Sequence, residues 1–136
     1  MREIIFRGKE FEPKHTSDGW VTGFYSTKDG AHFITTIGRY TSGKSYFSDV
    51  LVNPETIGQY TGLTDKNGKK IFEGDIVKFT RSGDIRTVIF DEYYAEFEFN
   101  PKDPVSNPDG VCLCADHDAC EVIGNVYDNH ELVALN

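Results

Sequence analysis

The sequence predicts an all-β protein, mainly antiparallel, built as a small barrel or sandwich of about eight strands with at most one or two short helices. Three observations carry that expectation. Aromatic residues make up 13% of the 136 residues, and they cluster with β-branched residues in short runs, the composition that suits a pleated, half-buried surface. Glycine-bearing turn signals separate those runs: Asp29-Gly30, Asn67-Gly68 and Ser82-Gly83-Asp84. The run AEFEF at 95–99 alternates strictly, which places Phe97 and Phe99 on one face and Glu96 and Glu98 on the other, predicted here to be an acidic solvent face.

In order along the chain, residues 3–7 (EIIFR) read as a first strand. Residues 20–26 (WVTGFYS) and 31–37 (AHFITTI) read as a hairpin closed by Asp29-Gly30, where positive φ is needed. Residues 46–52 form another strand, ended by Asn53-Pro54, and residues 54–60 have room for one helical turn. Ile71-Phe72, then 75–80 (DIVKFT), 85–90 (IRTVIF) and 95–99 follow as successive strands, and 121–126 (EVIGNV) is the last. Residues 100–110 hold Pro101, Pro104 and Pro108 and read as a loop. At the end, Asp128 and Glu131 have the spacing of a capping box, with Leu132, Val133 and Leu135 packing a short helix. Neither a fixed-period repeat nor a low-complexity segment is present, so a single domain over residues 1–136 is expected.

Charge narrows the function. The net charge is −8, and residues 91–121 hold nine acids against one base, Lys102, while the remainder balances at thirteen of each. The acidic balance speaks against nucleic acid as the general partner. The acidic stretch reads first as a solvated face and polar loop that keep the chain soluble. The sharper reading, an acidic surface for a basic partner or a divalent cation, makes Glu96, Glu98, Asp116 and Asp118 the candidate interaction surface. The N-terminus offers only the apolar run Ile4-Ile5-Phe6, too short for a signal peptide. No run approaches the roughly 18 apolar residues of a membrane helix. A soluble cytoplasmic protein with no membrane partner is expected.

The chemically suggestive segment is CLCADHDAC at 112–120. Cys112, Cys114, His117 and Cys120 are of the residue types that hold tetrahedral zinc, but Cys112 and Cys114 have one residue between them where zinc knuckles use two or more. If residues 111–115 are a strand, both thiols share a face. The competing reading is structural: Cys112 and Cys114 as small core-facing residues and Cys120 opening the next strand. An odd cysteine count argues against a disulfide framework. The run 64–70 (TDKNGKK) reads as a charged hairpin tip with a type I′ turn at Asn67-Gly68, and it lacks the further acids of a calcium loop. Gly74-Asp75 reads as a bend feeding a strand, with the Asp75 carboxylate on a neighbouring amide. Of His15, His32, His117 and His130, only His117 has plausible catalytic partners nearby in sequence. No catalytic constellation and no cofactor motif emerges. Tyr40 and Tyr46, flanking a loop with Arg39 and Lys44, suit single-stranded nucleic acid and suit a protein interface at least as well.

Three segments together resemble the YopX family of phage and prophage proteins. They are REIIFRGK (2–9) followed by GWVTG (19–23), then VNPETIGQYTGLTDKNGKKIFEGDIV (52–77), and CEVIGNVYDNHEL (120–132). The segment 12–18 is longer than usual for that family, His130 stands where members commonly carry proline, and the Cys112/Cys114 pair is not a hallmark of it. The resemblance implies one YopX-like domain in the cytoplasm of a bacterial host cell, leaves assembly into a homo-oligomer open, and brings no active site, because the family has no established function. The expectation is therefore a non-catalytic accessory protein that binds a host or phage protein. The alternatives are a zinc- or thiol-dependent protein using Cys112, Cys114, His117 and Cys120, and single-stranded nucleic-acid binding through Arg39, Lys44 and the 66–70 tip.

Overall fold

The computed structural model describes residues 1–101 and 110–134. The expected loop at 100–110 and the packing of Leu135 lie almost wholly outside them. The described residues are mainly antiparallel strand: β1 (Phe6–Lys9), β2 (Trp20–Lys28), β3 (Ala31–Arg39), β4 (Ser45–Leu51), β5 (Asn53–Thr64), β6 (Lys70–Phe72), β7 (Asp75–Phe79), β8 (Ile85–Asp91), β9 (Glu96–Phe99), β10 (Val111–Cys112) and β11 (Cys120–Asn125). Two four-residue helices, α1 (Leu113–Asp116) and α2 (Glu131–Ala134), complete them, with one 3₁₀ turn at His117–Ala119. Among these residues no helix is long and apolar enough to cross a membrane. The strands form two sheets, ordered β4-β3-β2-β1-β5-β6 and β10-β9-β8-β7-β11. The chain divides into two compact units, Met1–Tyr60 and Thr61–Asn136.

In the first unit, β2 and β3 form the expected hairpin. Asp29 (φ 51°) and Gly30 (φ 79°) are both left-handed, the backbone that a two-residue turn between right-twisted strands requires. Val21, Ile34, Val50 and Val52 make the core, with Phe6 and Ile57 packed against it. The helical turn expected at 54–60 is instead strand β5. Its first residues carry cap-like local bonds: the Glu55 amide donates to Asn53 Oδ1 (3.1 Å) and Thr56 Oγ1 donates to the Asn53 carbonyl (2.6 Å). Thr56 Oγ1 also accepts the Lys9 amide (2.8 Å), so these groups serve a register shift between β1 and β5. Beyond it Thr56, Gly58 and Tyr60 are buried in alternation, the period of a strand.

The second unit has a larger core of Ile71, Val77, Val88, Phe99, Leu113, Cys120 and Val122. Phe79 meets Phe99 edge-to-face at 4.9 Å. Three turns here differ from expectation or refine it. At Asp65–Lys69 only Gly68 has positive φ (79°), and Gly68 N donates to Asp65 O (3.0 Å) while Asp65 N donates to Lys69 O (2.8 Å). That is a type I turn closed by a glycine bulge rather than type I′. At Gly74-Asp75 the expected bend is present: Gly74 has φ 90° and Asp75 Oδ2 accepts the Phe72 amide at 2.8 Å. At the C-terminal end, the helix begins only at Glu131. Asp128, which the spacing made the cap, therefore lies three residues before the helix; its Oδ2 accepts Asn125 Nδ2 (3.2 Å), and the Leu132 amide donates to the Asn129 carbonyl (2.9 Å).

Candidate interaction surface

The pairing of β2, β3 and β4 decides which side chains share a face, because residues directly opposite in an antiparallel ladder point the same way. Phe24 is opposite Thr35 and Ser26 opposite Phe33, while Phe33 faces Leu51, Thr35 faces Asp49 and Ile37 faces Phe47. Phe24, Phe33, Ile37, Phe47 and Leu51 therefore frame one sheet face around a central Thr35–Asp49 pair, joined by a 2.6 Å bond from Thr35 Oγ1 to Asp49 Oδ1. The opposite face carries Ile34 and Val50, which are 0% and 1% exposed. On the first face Phe24 is 53%, Ile37 56%, Phe47 69% and Leu51 49% exposed. Trp20 continues this face along β2 by alternation, with the Arg7 guanidinium 4.8 Å and the Lys9 ammonium 5.8 Å from its ring. Tyr40 and Tyr46, at the end of the β3–β4 hairpin, are both exposed and pack ring against ring at 4.6 Å.

The acidic residues singled out in sequence do not form one surface. Glu98 is only 3% exposed, which corrects the expectation of an acidic solvent face on β9. Alternation assigns a residue to a face but says nothing of what covers that face. Burial, followed by hydrogen bonds with Glu96 and Asp91 and by their charges, pushes the Glu98 carboxyl up to about 7. Among the described residues its buried Oε1 has no hydrogen-bond partner. Glu96 is half-buried. Asp116 and Asp118 are exposed and line a cleft of about 620 Å³ that also takes Lys66, Arg81 and Arg86, over Phe79 and Phe99. Three cations thus stand among the acids there.

The cysteine segment is no continuous strand, as β10 ends at Cys112 and α1 starts at Leu113. Cys120 is buried in the core and opens β11, as the structural reading had it, and desolvation pushes its thiol up to about 12. Cys114 is exposed rather than core-facing, and its Sγ lies 2.8 Å from that of the half-buried Cys112. His117 Nδ1 is 2.7 Å from the Thr64 carbonyl, while Cys120 Sγ donates to the His117 carbonyl at 3.3 Å. Among the described residues no group of three or more His, Cys, Asp or Glu is arranged to hold a metal ion.

Two features escaped the sequence reading. Asp65, taken for part of a charged tip, is 5% exposed and receives the amides of Val122 (2.9 Å), Asn67 (2.9 Å) and Lys69 (3.0 Å). Burial would raise its pKa, but those three amides and the Lys69 charge outweigh burial and hold it below the usual carboxylate value. The apolar face was visible only as strands with large apolar residues on both sides, such as Phe33-Ile34 and Val50-Leu51. Nothing in the pattern said that one side stays uncovered.

The class is thus an all-β chain of two compact units, one of which leaves a sheet face of aromatic and aliphatic side chains open to solvent. More particularly, the chain belongs to the YopX protein family, whose family model it matches over residues 4–134. No curated protein matches it.

Proposed function

We propose that this chain is a non-catalytic accessory protein, of phage or prophage, that binds another protein through the open face of β2, β3 and β4. The observation that carries the reading is the exposure of Phe24, Ile37, Phe47 and Leu51 together on one sheet face. Contiguous apolar surface of that kind marks interaction sites in soluble proteins, and aromatic anchors dominate binding energy. A protein is the reading because apolar side chains dominate this face, while its charges are mixed, with Asp49 at the centre and Arg7 and Lys9 at the Trp20 end. The acidic residues Asp116 and Asp118 then contribute steering rather than the main contact.

The test is affinity capture with wild type, a Phe47→Ser/Ile37→Ser double variant and an Asp116→Asn/Asp118→Asn double variant. The face variant loses the captured protein, and the acid variant keeps it with altered salt dependence. Retention by the face variant and loss by the acid variant would overturn the choice of surface. Light scattering on the free protein separates a foreign partner from a second copy of this chain. Tight binding of a single-stranded oligonucleotide that the face variant loses would replace the protein reading.

A further inference from the structure

Cys112 and Cys114 stand at the corner where β10 passes into α1, and the residue between them fixes that corner. Leu113 is 1% exposed and belongs to the core with Phe99 and Val122. In a continuing strand, residues two apart are roughly 7 Å apart. The change to helical backbone at Leu113 folds the two side chains together, so that their sulfurs lie 2.8 Å apart as free thiols. A disulfide needs about 2.0 Å, an approach of less than ~1 Å. The two thiols differ in access: Cys114 is exposed and Cys112 half-buried. The third cysteine, Cys120, is fully buried and takes no part.

We propose that Cys112 and Cys114 form a reversible dithiol–disulfide couple that exchanges with small-molecule disulfides. Cys114 loses its proton to solvent and its thiolate attacks one sulfur of the external disulfide, which releases one small thiolate and leaves a mixed disulfide. Cys112 then loses its proton and attacks the Cys114 sulfur, expelling the second small thiolate. Both small thiolates take up protons. The pair is oxidised by two electrons and the external disulfide is reduced to two thiols, so the step balances without another reactant. Access sets the order of attack. It is also the order favoured by the hydrogen bond between the two thiols, which chiefly pushes Cys112 up to about 11 and keeps its proton in place until Cys114 has reacted. The same corner carries the β9–β10 pairing, with Val111 opposite Phe99 and Cys112 opposite Glu98, so oxidation tightens the strand edge beside the buried Glu98 carboxyl.

The test is incubation of the folded chain with oxidised glutathione, followed by acid quench, alkylation under denaturing conditions and intact mass. The expected product has lost two hydrogens, carries one alkylated cysteine, Cys120, and shows its disulfide between Cys112 and Cys114 on peptide mapping. Cys112→Ser stops at a stable glutathione adduct on Cys114. The exchange equilibrium lies at least about tenfold further toward the internal disulfide in the folded chain than in the urea-unfolded chain, because the fold holds the sulfurs together. Stable glutathione adducts on the wild type, a disulfide that includes Cys120, or an equilibrium unchanged by unfolding would each overturn the proposal.

Discussion

Residues 1–60 carry seven acids and seven bases, whereas residues 61–136 carry fifteen acids and seven bases. The division of charge matches a division of labour in packing. The first unit has a core of four aliphatic residues and leaves large apolar side chains on its surface, Phe47 and Ile37 foremost. Among the described residues the second has a core of seven and buries the carboxyl groups of Asp65, Asp75 and Glu98, where the first buries Glu10. Buried carboxylates tie its turns: Asp65 collects three amides from its own hairpin and from β11, and Asp75 holds the Phe72 amide. The proposed recognition face thus lies in the unit with the smaller core, although Tyr93 and Tyr94 of the other unit are exposed as well.

That contrast can be broken by substitution. The largest effect is expected at Phe99→Ala in the second unit, which removes a fully buried ring and costs about 3–5 kcal/mol in urea unfolding. A loss under about 1 kcal/mol would mean that this core is loosely packed. Asp65→Ala comes next, at about 2–4 kcal/mol, because buried amides lose their acceptor. If it unfolds no more readily than wild type, the turn is held by its backbone bonds alone.

The pH dependence sharpens the same comparison. Glu98 titrates at about 7 in the folded chain against an ordinary value of 4.5. Between those values the folded state holds a proton that the unfolded state has released, so stability from this group falls as pH rises from 4.5 to 7 and is flat above. Asp65 and Glu10 have the opposite sign. Their values are lowered, so their contributions are present above the ordinary carboxylate range and are lost as pH falls through the folded values. For Glu10, burial is outweighed by bonds from His15 and Lys14, which close the loop before Gly19. Glu98→Gln flattens the decline between pH 5 and 7 in thermal melts. A decline that persists in this variant assigns the effect elsewhere. The smallest expected change is at Phe47→Ser, within about 0.5 kcal/mol of wild type, since an exposed ring contributes little to folding.

Much of the fold was legible because local chemistry and tertiary structure agree. Asp29-Gly30 closes its hairpin as read, and Phe97 and Phe99 do point toward the core. Reading failed where a local signal served a distant partner. Asn53 and Thr56 make the bonds of a helix start, yet Thr56 also receives the Lys9 amide across the sheet, and the segment is strand. Asp65 looked like a surface charge because its partner Val122 lies 57 residues away. Glu98 looked exposed because alternation cannot register cover. Of the candidate site, the proximity of Cys112 and Cys114 was half legible: their one-residue spacing was plain, while the corner that joins the sulfurs depends on Leu113 entering the core.

The most direct measurement is site-specific photocrosslinking from cells, with a benzophenone group carried at position 47 on the open face and, in a second protein, at position 118 beside the cleft. A discrete protein adduct from position 47, absent from position 118, is the predicted result. An adduct from position 118 alone, or from neither, would contradict the assignment of recognition to the sheet face of the first unit.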